Sequence, residues 1–222
     1  MHAEVLLRML DFDGKPIPPG AFLPAAERFH LASRIDRWVL RRALRWLSAL
    51  PHRNKIETLS INLSGQSIGD RAFHQHAIET LKAAGKDICK SLCFEITETA
   101  AITNMTDAIY FIEQIRALGV RMALDDFGAG AASFGYLKTL SVDFLKIDGQ
   151  FIKNLLSDRL DDAAVRCFAD VAKSIGLKTV AEFVDRPDVL IRLQEIGIDY
   201  AQGFLIHKPE PIMNLFKNKD NT

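Results

Sequence analysis

The sequence predicts a parallel α/β fold closed into a barrel, and three observations carry that prediction. Strand-like apolar runs alternate with helical stretches along the 222 residues, the rhythm of parallel strands with helices packed outside. Seven such runs can be counted, one short of a closed eight-stranded barrel. Each run carries a polar or charged residue, usually at its C-terminal end: Asn62, Glu95, Asp125, Lys146, Glu182 and Gln202, joined by Glu4 from the first. A doubly wound open sheet would give a similar rhythm but spread these residues along an edge. A barrel gathers them at one mouth, where barrel enzymes place their chemistry.

In chain order, residues 3–9 read as the first strand, with Glu4, Leu6 and Arg8 on one face and Val5, Leu7 and Met9 on the other. A strand this close to Met1 looks truncated. Residues 11–20 hold Asp13-Gly14 and three prolines and read as a turn-rich loop. A short helix over Phe22–Phe29 is followed by a stronger one over 34–48, with Ile35, Trp38, Val39, Ala43 and Trp46 near helical spacing and Asp36 in its first turn. Strand Thr58–Leu63 precedes a helix near 70–84. Strand Leu92–Thr97 precedes one near 103–118, whose Ile109, Ile112, Ile115 and Leu118 share a face. Strand Arg121–Asp125 leads to a short helix near 131–138, Val142–Ile147 to a helix over 161–175, and Thr179–Glu182 to one near 187–196. Strand Tyr200–Phe204 ends in Pro209, Pro211 and a last helical turn. Residues 1–216 read as one domain and 217–222 as a polar tail.

Composition narrows the class. Hydrophobic residues make up 48% and charged residues 25%, as in an ordinary globular protein. Twenty-eight basic and 28 acidic residues cancel, so no bulk electrostatic pull toward nucleic acid or an anionic membrane follows. Cys89, Cys93 and Cys167 are odd in number and lack CxxC spacing, which argues against a disulfide framework or thiolate zinc site and fits a reducing compartment. No apolar run approaches the roughly 18 residues of a membrane helix, and the N-terminus does not read as a signal peptide.

The chemistry centres on Arg121-Met122-Ala123-Leu124-Asp125-Asp126-Phe127-Gly128-Ala129-Gly130. Two adjacent carboxylates at the end of a buried strand repel each other and lose hydration, and a bound cation is the usual remedy. Parity supports a shared inward direction: Thr58, Ser60 and Asn62 alternate with Leu59, Ile61 and Leu63, and Cys93, Glu95 and Thr97 with Leu92, Phe94 and Ile96. One lysine then faces several carboxylates. The ligands are all oxygen, which suits Mg²⁺ or Mn²⁺ rather than Zn²⁺. Four or five carboxylates exceed the need of one ion. Two ions about 3.5–4 Å apart could bridge a nucleophilic water, matched to a phosphodiester electrophile. Lys146 could orient that water or stabilise phosphoryl charge. Blander readings stand beside these: Glu95 or Glu182 alone as a surface salt bridge, Lys146 as a Schiff-base lysine, His74 and His76 as solvated helix residues, the cysteines as buried small apolar groups, and Trp38 and Trp46 as core.

These residues resemble the EAL domain family, the cyclic di-GMP-specific phosphodiesterases, from Glu4 to about Pro211. Glu4-Val5-Leu6-Leu7-Arg8 stands at the signature, followed in order by Asn62-Leu63-Ser64, Phe94-Glu95-Ile96-Thr97-Glu98, Asp125-Asp126-Phe127-Gly128, Lys146-Ile147-Asp148, Ala181-Glu182 and Gln202-Gly203. The resemblance implies a modified TIM (β/α)8 barrel whose first strand runs antiparallel to the rest. That strand would lie before residue 1. It implies hydrolysis of cyclic di-GMP to linear pGpG with two Mg²⁺ or Mn²⁺ ions, Ca²⁺ inhibiting. Glu4, Asn62, Glu95 and Asp125 would hold one ion, and Asp125 would bridge to a second held by Asp126 and Glu182. Lys146 and Gln202 would contact the catalytic water or its surroundings, so Lys146, Glu182, Asp126 and Gln202 are the expected catalytic set. Leu6, Arg8 and Asp148 would meet the substrate, Arg8 against a phosphate, and Glu98 would hold the loop after Asp126.

Val5, Ala129, Phe183 and Asp185 depart from the family pattern. Ala129 lacks the usual loop hydroxyl, Phe183 adds bulk, and Asp185 is a methylene shorter than the usual Glu. Degenerate members that only sense the dinucleotide supply the alternative, a receptor or regulatory domain; they lack ligand positions that are all present here. The resemblance also implies a homodimer through the helix near 133–140. No nucleic acid polymer and no membrane contact by this segment are expected. The expected location is the cytoplasm, within a larger, membrane-tethered signalling protein or apart from one.

Overall fold

The structure, a computed structural model, describes residues 1–50, 55–130 and 134–215. The chain divides into two compact units, Met1–Leu145 and the part from Lys146 onward, and the expected single domain 1–216 contains both. The tail 217–222 lies outside the described residues.

In the first unit, β1 (His2–Val5) is followed by two short strands, β2 (Met9–Leu10) and β3 (Pro16–Ile17). These pair antiparallel, so the predicted loop over 11–20 is a small hairpin. Asp11 closes its turn, its Oδ1 accepting from the backbone N–H of Asp13 and Lys15 at 2.9 and 2.8 Å. Helices α1 (Pro19–Arg28) and α2 (Ala32–Ala49) come next. The rest of the unit holds β4 (Thr58–Asn62), α3 (Gly65–Ile68), α4 (Arg71–Ala84), α5 (Lys86–Cys89), β5 (Leu92–Thr97), α6 (Glu98–Thr103), α7 (Met105–Ala117) and β6 (Arg121–Phe127). A 3-10 helix follows over Phe134–Lys138, and β7 begins at Phe144. Strands β1, β4, β5 and β6 are hydrogen-bonded in that order, all parallel.

Register fixes the faces. Phe94 stacks on Phe111 of α7 with ring planes 7° apart, so the set Leu59, Ile61, Phe94, Ile96, Met122 and Leu124 on its face is buried under the helices. Glu4, Ser60, Asn62, Glu95, Ala123 and Asp125 alternate with it and share the opposite face. At the N-terminal ends of the strands, Arg121 donates to the carbonyls of Glu57 and Lys90 and lies 5.7 Å from the centre of the Phe144 ring. Both hydrogen bonds come from Nη2, while the buried Nε of this strand-end guanidinium has no hydrogen-bond partner among the described residues.

The second unit contains the end of β7 (Phe144–Ile147), then α8 (Gly149–Lys153), α9 (Arg159–Ser174), β8 (Lys178–Ala181), α10 (Pro187–Ile196), β9 (Tyr200–Ala201) and a 3-10 turn over Ile212–Asn214. β8 and β9 pair in parallel. Asp162 of α9 receives Arg166 from its own helix and Arg192 Nε from α10 at 2.8 Å. Among the described residues, no helix is long and apolar enough to cross a membrane.

Several expectations need correction. Trp38 is 52% exposed; it lies on the outer face of α2, whose inner face carries Asp36, Val39, Leu40, Ala43 and Leu47. His74 is buried rather than solvated: it stacks on Phe111 with centroids 4.4 Å apart, and its Nε2 meets the Ile68 carbonyl at 2.9 Å. Burial pushes its pKa down. Cys89 and Cys93 are buried as expected, whereas Cys167 is exposed on α9. The helix expected near 103–118 is α7, with the separate short α6 before it; of the helix expected near 131–138, residues 131–133 lie outside the described residues and Phe134–Lys138 forms a 3-10 helix.

Candidate active site

In the first unit, parallel register places the expected ligand positions at the C-terminal ends of neighbouring strands. Asn62 is the register partner of Glu95, and Thr97 that of Asp125. Glu4, one strand over, receives a hydrogen bond from Asn62 Nδ2 at 2.6 Å on its Oε1. Glu95 and Asp125 are buried, whereas Asn62 is exposed. Burying two carboxylates on one polar face is costly without compensating charge.

Asp126 is less regular. β6 continues through it, but its φ is 53°, in the left-handed region. Asp and Asn tolerate that region better than other non-glycine residues, at a cost of order 1–3 kcal/mol, and such residues cluster at functional sites. Its N–H donates to its neighbour's Oδ1 at 3.1 Å. On an extended strand adjacent side chains point to opposite faces, yet here the two carboxylates each bring an oxygen within 4.8 Å of the other.

Thr97 and Glu98 join β5 to α6. Thr97 is the N-cap, its hydroxyl accepting from Ala100 N–H at 3.3 Å. Glu98, fully buried, is the first helical residue, where the helix dipole favours a carboxylate. Its Oε2 accepts from Gly128 N–H at 3.1 Å, and its Oε1 accepts from the Tyr136 hydroxyl. The carboxylate thus ties the turn after Asp126 to the 3-10 helix. Burial, then the hydrogen bond to Glu98, pushes the Tyr136 phenol far above its ordinary pKa. Leu6 and Arg8 are both exposed, and Arg8 Nη1 reaches no further than the carbonyl of Leu7 at 3.1 Å.

The second unit holds Lys146, Asp148, Glu182 and Gln202. Lys146 Nζ meets Glu182 Oε1 at 2.8 Å, and the Lys146 side chain is only 3% exposed. Strand pairing sets this up, since Glu182 N–H donates to the Ile147 carbonyl at 3.3 Å. Asp148 is the N-cap of α8, accepting from Gln150 N–H at 2.7 Å. Capping alone accounts for a carboxylate there. The backbone of Gln202 links Ala181 and Val184, donating to the Ala181 carbonyl at 2.8 Å and accepting from Val184 N–H at 2.9 Å.

Phe183 follows Glu182 with φ 54° and 58% of its surface exposed. Its ring occupies the space beside Gly149: a Cβ there would sit 2.2 Å from Phe183 Cδ2 and 2.7 Å from Cγ. Lys153 Nζ lies 4.6 Å from the ring centre. Gly203 is equally constrained, because a Cβ would fall 2.2 Å from the Val184 carbonyl oxygen. Sequence reasoning passed over Gly149, Tyr136 and Asp36. The first two are readable only through their partners Phe183 and Glu98, and Asp36 reads from the sequence as a first-turn helix acid.

A profile of the family described as the EAL domain matches residues 1–209. The chain is 45% identical over 210 residues to cyclic di-GMP phosphodiesterase PdeB of Shewanella oneidensis, covering 94% of this chain and 24% of that protein. It is 37% identical to cyclic di-GMP phosphodiesterase PdeA of Borreliella burgdorferi, covering 94% and 31%. It therefore spans about a quarter to a third of these relatives. Among solved structures, the PaMucR phosphodiesterase in complex with c-di-GMP aligns with a TM-score of 0.86 at 33% identity, over 96% of this chain and 86% of that one. The FimX EAL domain of Pseudomonas aeruginosa bound to c-di-GMP aligns with a TM-score of 0.84 at 30% identity, over 93% and 83%. The fold of this chain is thus the EAL-type modified TIM barrel.

Proposed function

Because the chain belongs to the EAL domain family, we propose that it is a metal-dependent phosphodiesterase that hydrolyses cyclic di-GMP to linear pGpG. One observation carries the reading: Glu4, Asn62, Glu95 and Asp125 share one face of a parallel sheet at its C-terminal ends. A donor set made only of oxygens fits a hard divalent cation. On this reading Glu4, Asn62, Glu95 and Asp125 hold one Mg²⁺ or Mn²⁺, while Asp125, Asp126 and Glu182 hold a second. Bound ions of this kind supply a water of lowered pKa and neutralise charge on phosphoryl oxygens.

The chain's own groups do the rest. Lys146, buried and held by Glu182, offers an ammonium to orient the nucleophilic water or steady phosphoryl charge as it develops. Arg8, exposed and always charged, suits a substrate phosphate, with Leu6 beside it. Gln202 completes the polar surroundings of the water, Asp148 meets the substrate from the α8 cap, and Glu98 holds the turn after Asp126. The two compact units act as one catalytic domain in this reading. The segment near 133–140, which includes the 3-10 helix Phe134–Lys138, mediates a homodimer. The reaction belongs in the cytoplasm.

Purified protein with Mg²⁺ or Mn²⁺ should convert cyclic di-GMP to pGpG, and EDTA should stop it. Ca²⁺ should inhibit, because it tolerates looser geometry and positions water poorly. Asp125→Asn and Lys146→Ala should each reduce kcat by at least about 10²-fold, of the order lost with one transition-state donor. Tight binding of cyclic di-GMP with no turnover under either metal would replace this reading with a receptor.

A further inference from the structure

The site's metal ligands lie on strand ends, yet one buried carboxylate outside that set reaches the same mouth. Asp36 projects from the inner face of α2 and is 7% exposed. Its Oδ2 accepts three hydrogen bonds, from Ser64 N–H at 2.8 Å, the Ser64 hydroxyl at 2.7 Å and the Ser67 hydroxyl at 2.6 Å. Ser64 stands two residues after Asn62 and caps α3, its own hydroxyl also accepting from Ser67 N–H at 3.2 Å. Between them, Leu63 is buried, and its N–H donates to the Glu95 carbonyl at 2.8 Å.

A turn held this way has little freedom. The β4 side of Asn62 is fixed by register with Glu95; the other side is fixed by a carboxylate from a different helix. The cost is plain, since burial pushes the Asp36 carboxyl above its ordinary pKa despite three donors. Capping a four-residue helix does not require an internal charge, because Ser64 already supplies the cap. The unexplained part of the arrangement is the aim of Asn62, whose amide meets Glu4 at 2.6 Å.

We propose that Asp36 is a positioning residue for the metal site: through Ser64 and Ser67 it fixes the turn that directs the Asn62 side chain toward Glu4. This rests on the reading of Glu4 and Asn62 as metal ligands. Outer-shell partners of metal ligands commonly change affinity 10–100-fold when removed.

The test is Mn²⁺ binding to the substrate-free full chain, followed by the EPR signal of free Mn²⁺, alongside thermal unfolding. Asp36→Ala and Ser67→Ala should weaken Mn²⁺ binding about 10-fold or more. Asp36→Asn, which keeps an acceptor oxygen, should recover part of the loss. Leu40→Ala, a buried change on the same helix, should lower Tm yet leave Mn²⁺ affinity unchanged. Asp36 and Ser67 variants that lose Tm but bind Mn²⁺ like wild type would overturn the proposal, as would a Leu40→Ala variant equally weakened for metal. If Asp36→Ala fails to fold, Ser67→Ala, which removes a single hydroxyl, decides alone. Wild type that binds Mn²⁺ without hydrolysing cyclic di-GMP overturns the phosphodiesterase reading and leaves the role of Asp36 to the variants. Wild type that binds no Mn²⁺ overturns both.

Discussion

Gly149→Ala should be among the more damaging single-methyl additions in the second unit. The new Cβ would lie 2.2, 2.7 and 3.0 Å from Cδ2, Cγ and Cβ of Phe183. Real carbon contacts at those separations are strongly repulsive. Although the ring is largely exposed, rotating its tip away would not suffice, because Cγ and Cβ sit at the root of the side chain. Phe183 is already in the left-handed region, so its backbone has little room to yield. Overpacking of this kind costs about 1–3 kcal/mol. Phe183→Gly removes the obstacle and suits the backbone, so Gly149→Ala in that background should cost under about 0.5 kcal/mol. Urea unfolding of the four proteins forms a double-mutant cycle with an expected coupling of about 1–3 kcal/mol. Turnover of cyclic di-GMP should fall and recover in parallel, since Phe183 adjoins Glu182. An equal cost of Gly149→Ala in both backgrounds would refute the steric reasoning.

Two further changes test charge placement. Glu98→Gln should bring the Tyr136 phenol toward its ordinary titration range without reaching it, because burial is the larger cause of the upward shift and persists; absorbance at alkaline pH reads this directly. Hydrogen bonds from Arg192 and Arg166 hold the Asp162 carboxyl below its ordinary value of 3.8. A depressed carboxylate stabilises the fold above its unfolded-state pKa and loses that contribution as pH falls through the folded one. The stability gap between wild type and Asp162→Asn should therefore be constant near neutrality and shrink below pH 3.8. A gap unchanged at low pH would dismiss the ion pairs as its source.

Much of the architecture was legible because strands and long helices announce themselves by period. β5 runs over Leu92–Thr97 as read, and α10 over Pro187–Ile196 within a residue. Polar residues at strand ends were visible as violations of burial. What escaped was local: α3, α5, α6 and α8 have four to six residues, too few for an apolar stripe to repeat. Their caps, Ser64, Thr97 and Asp148, were read as parts of motifs rather than as helix starts. Trp38 and His74 show a second limit. Periodicity places a residue on a helix face, but which face meets the sheet depends on a partner far away in sequence, here Phe111 for His74.

The left-handed backbone of Asp126 has a consequence for how substitutions there behave. Alanine would remove the carboxylate and also place an unsuited side chain in a conformation that costs an L-residue roughly 1–2 kcal/mol. Loss of activity and loss of local order would then be indistinguishable. Asparagine accepts the same dihedral angles and keeps a neutral oxygen, so it alters charge with the conformation intact. Glycine does the opposite, keeping the turn and discarding the functional group. Position 126 thus carries two separable requirements, one electrostatic and one conformational, and only the Asn and Gly pair resolves them.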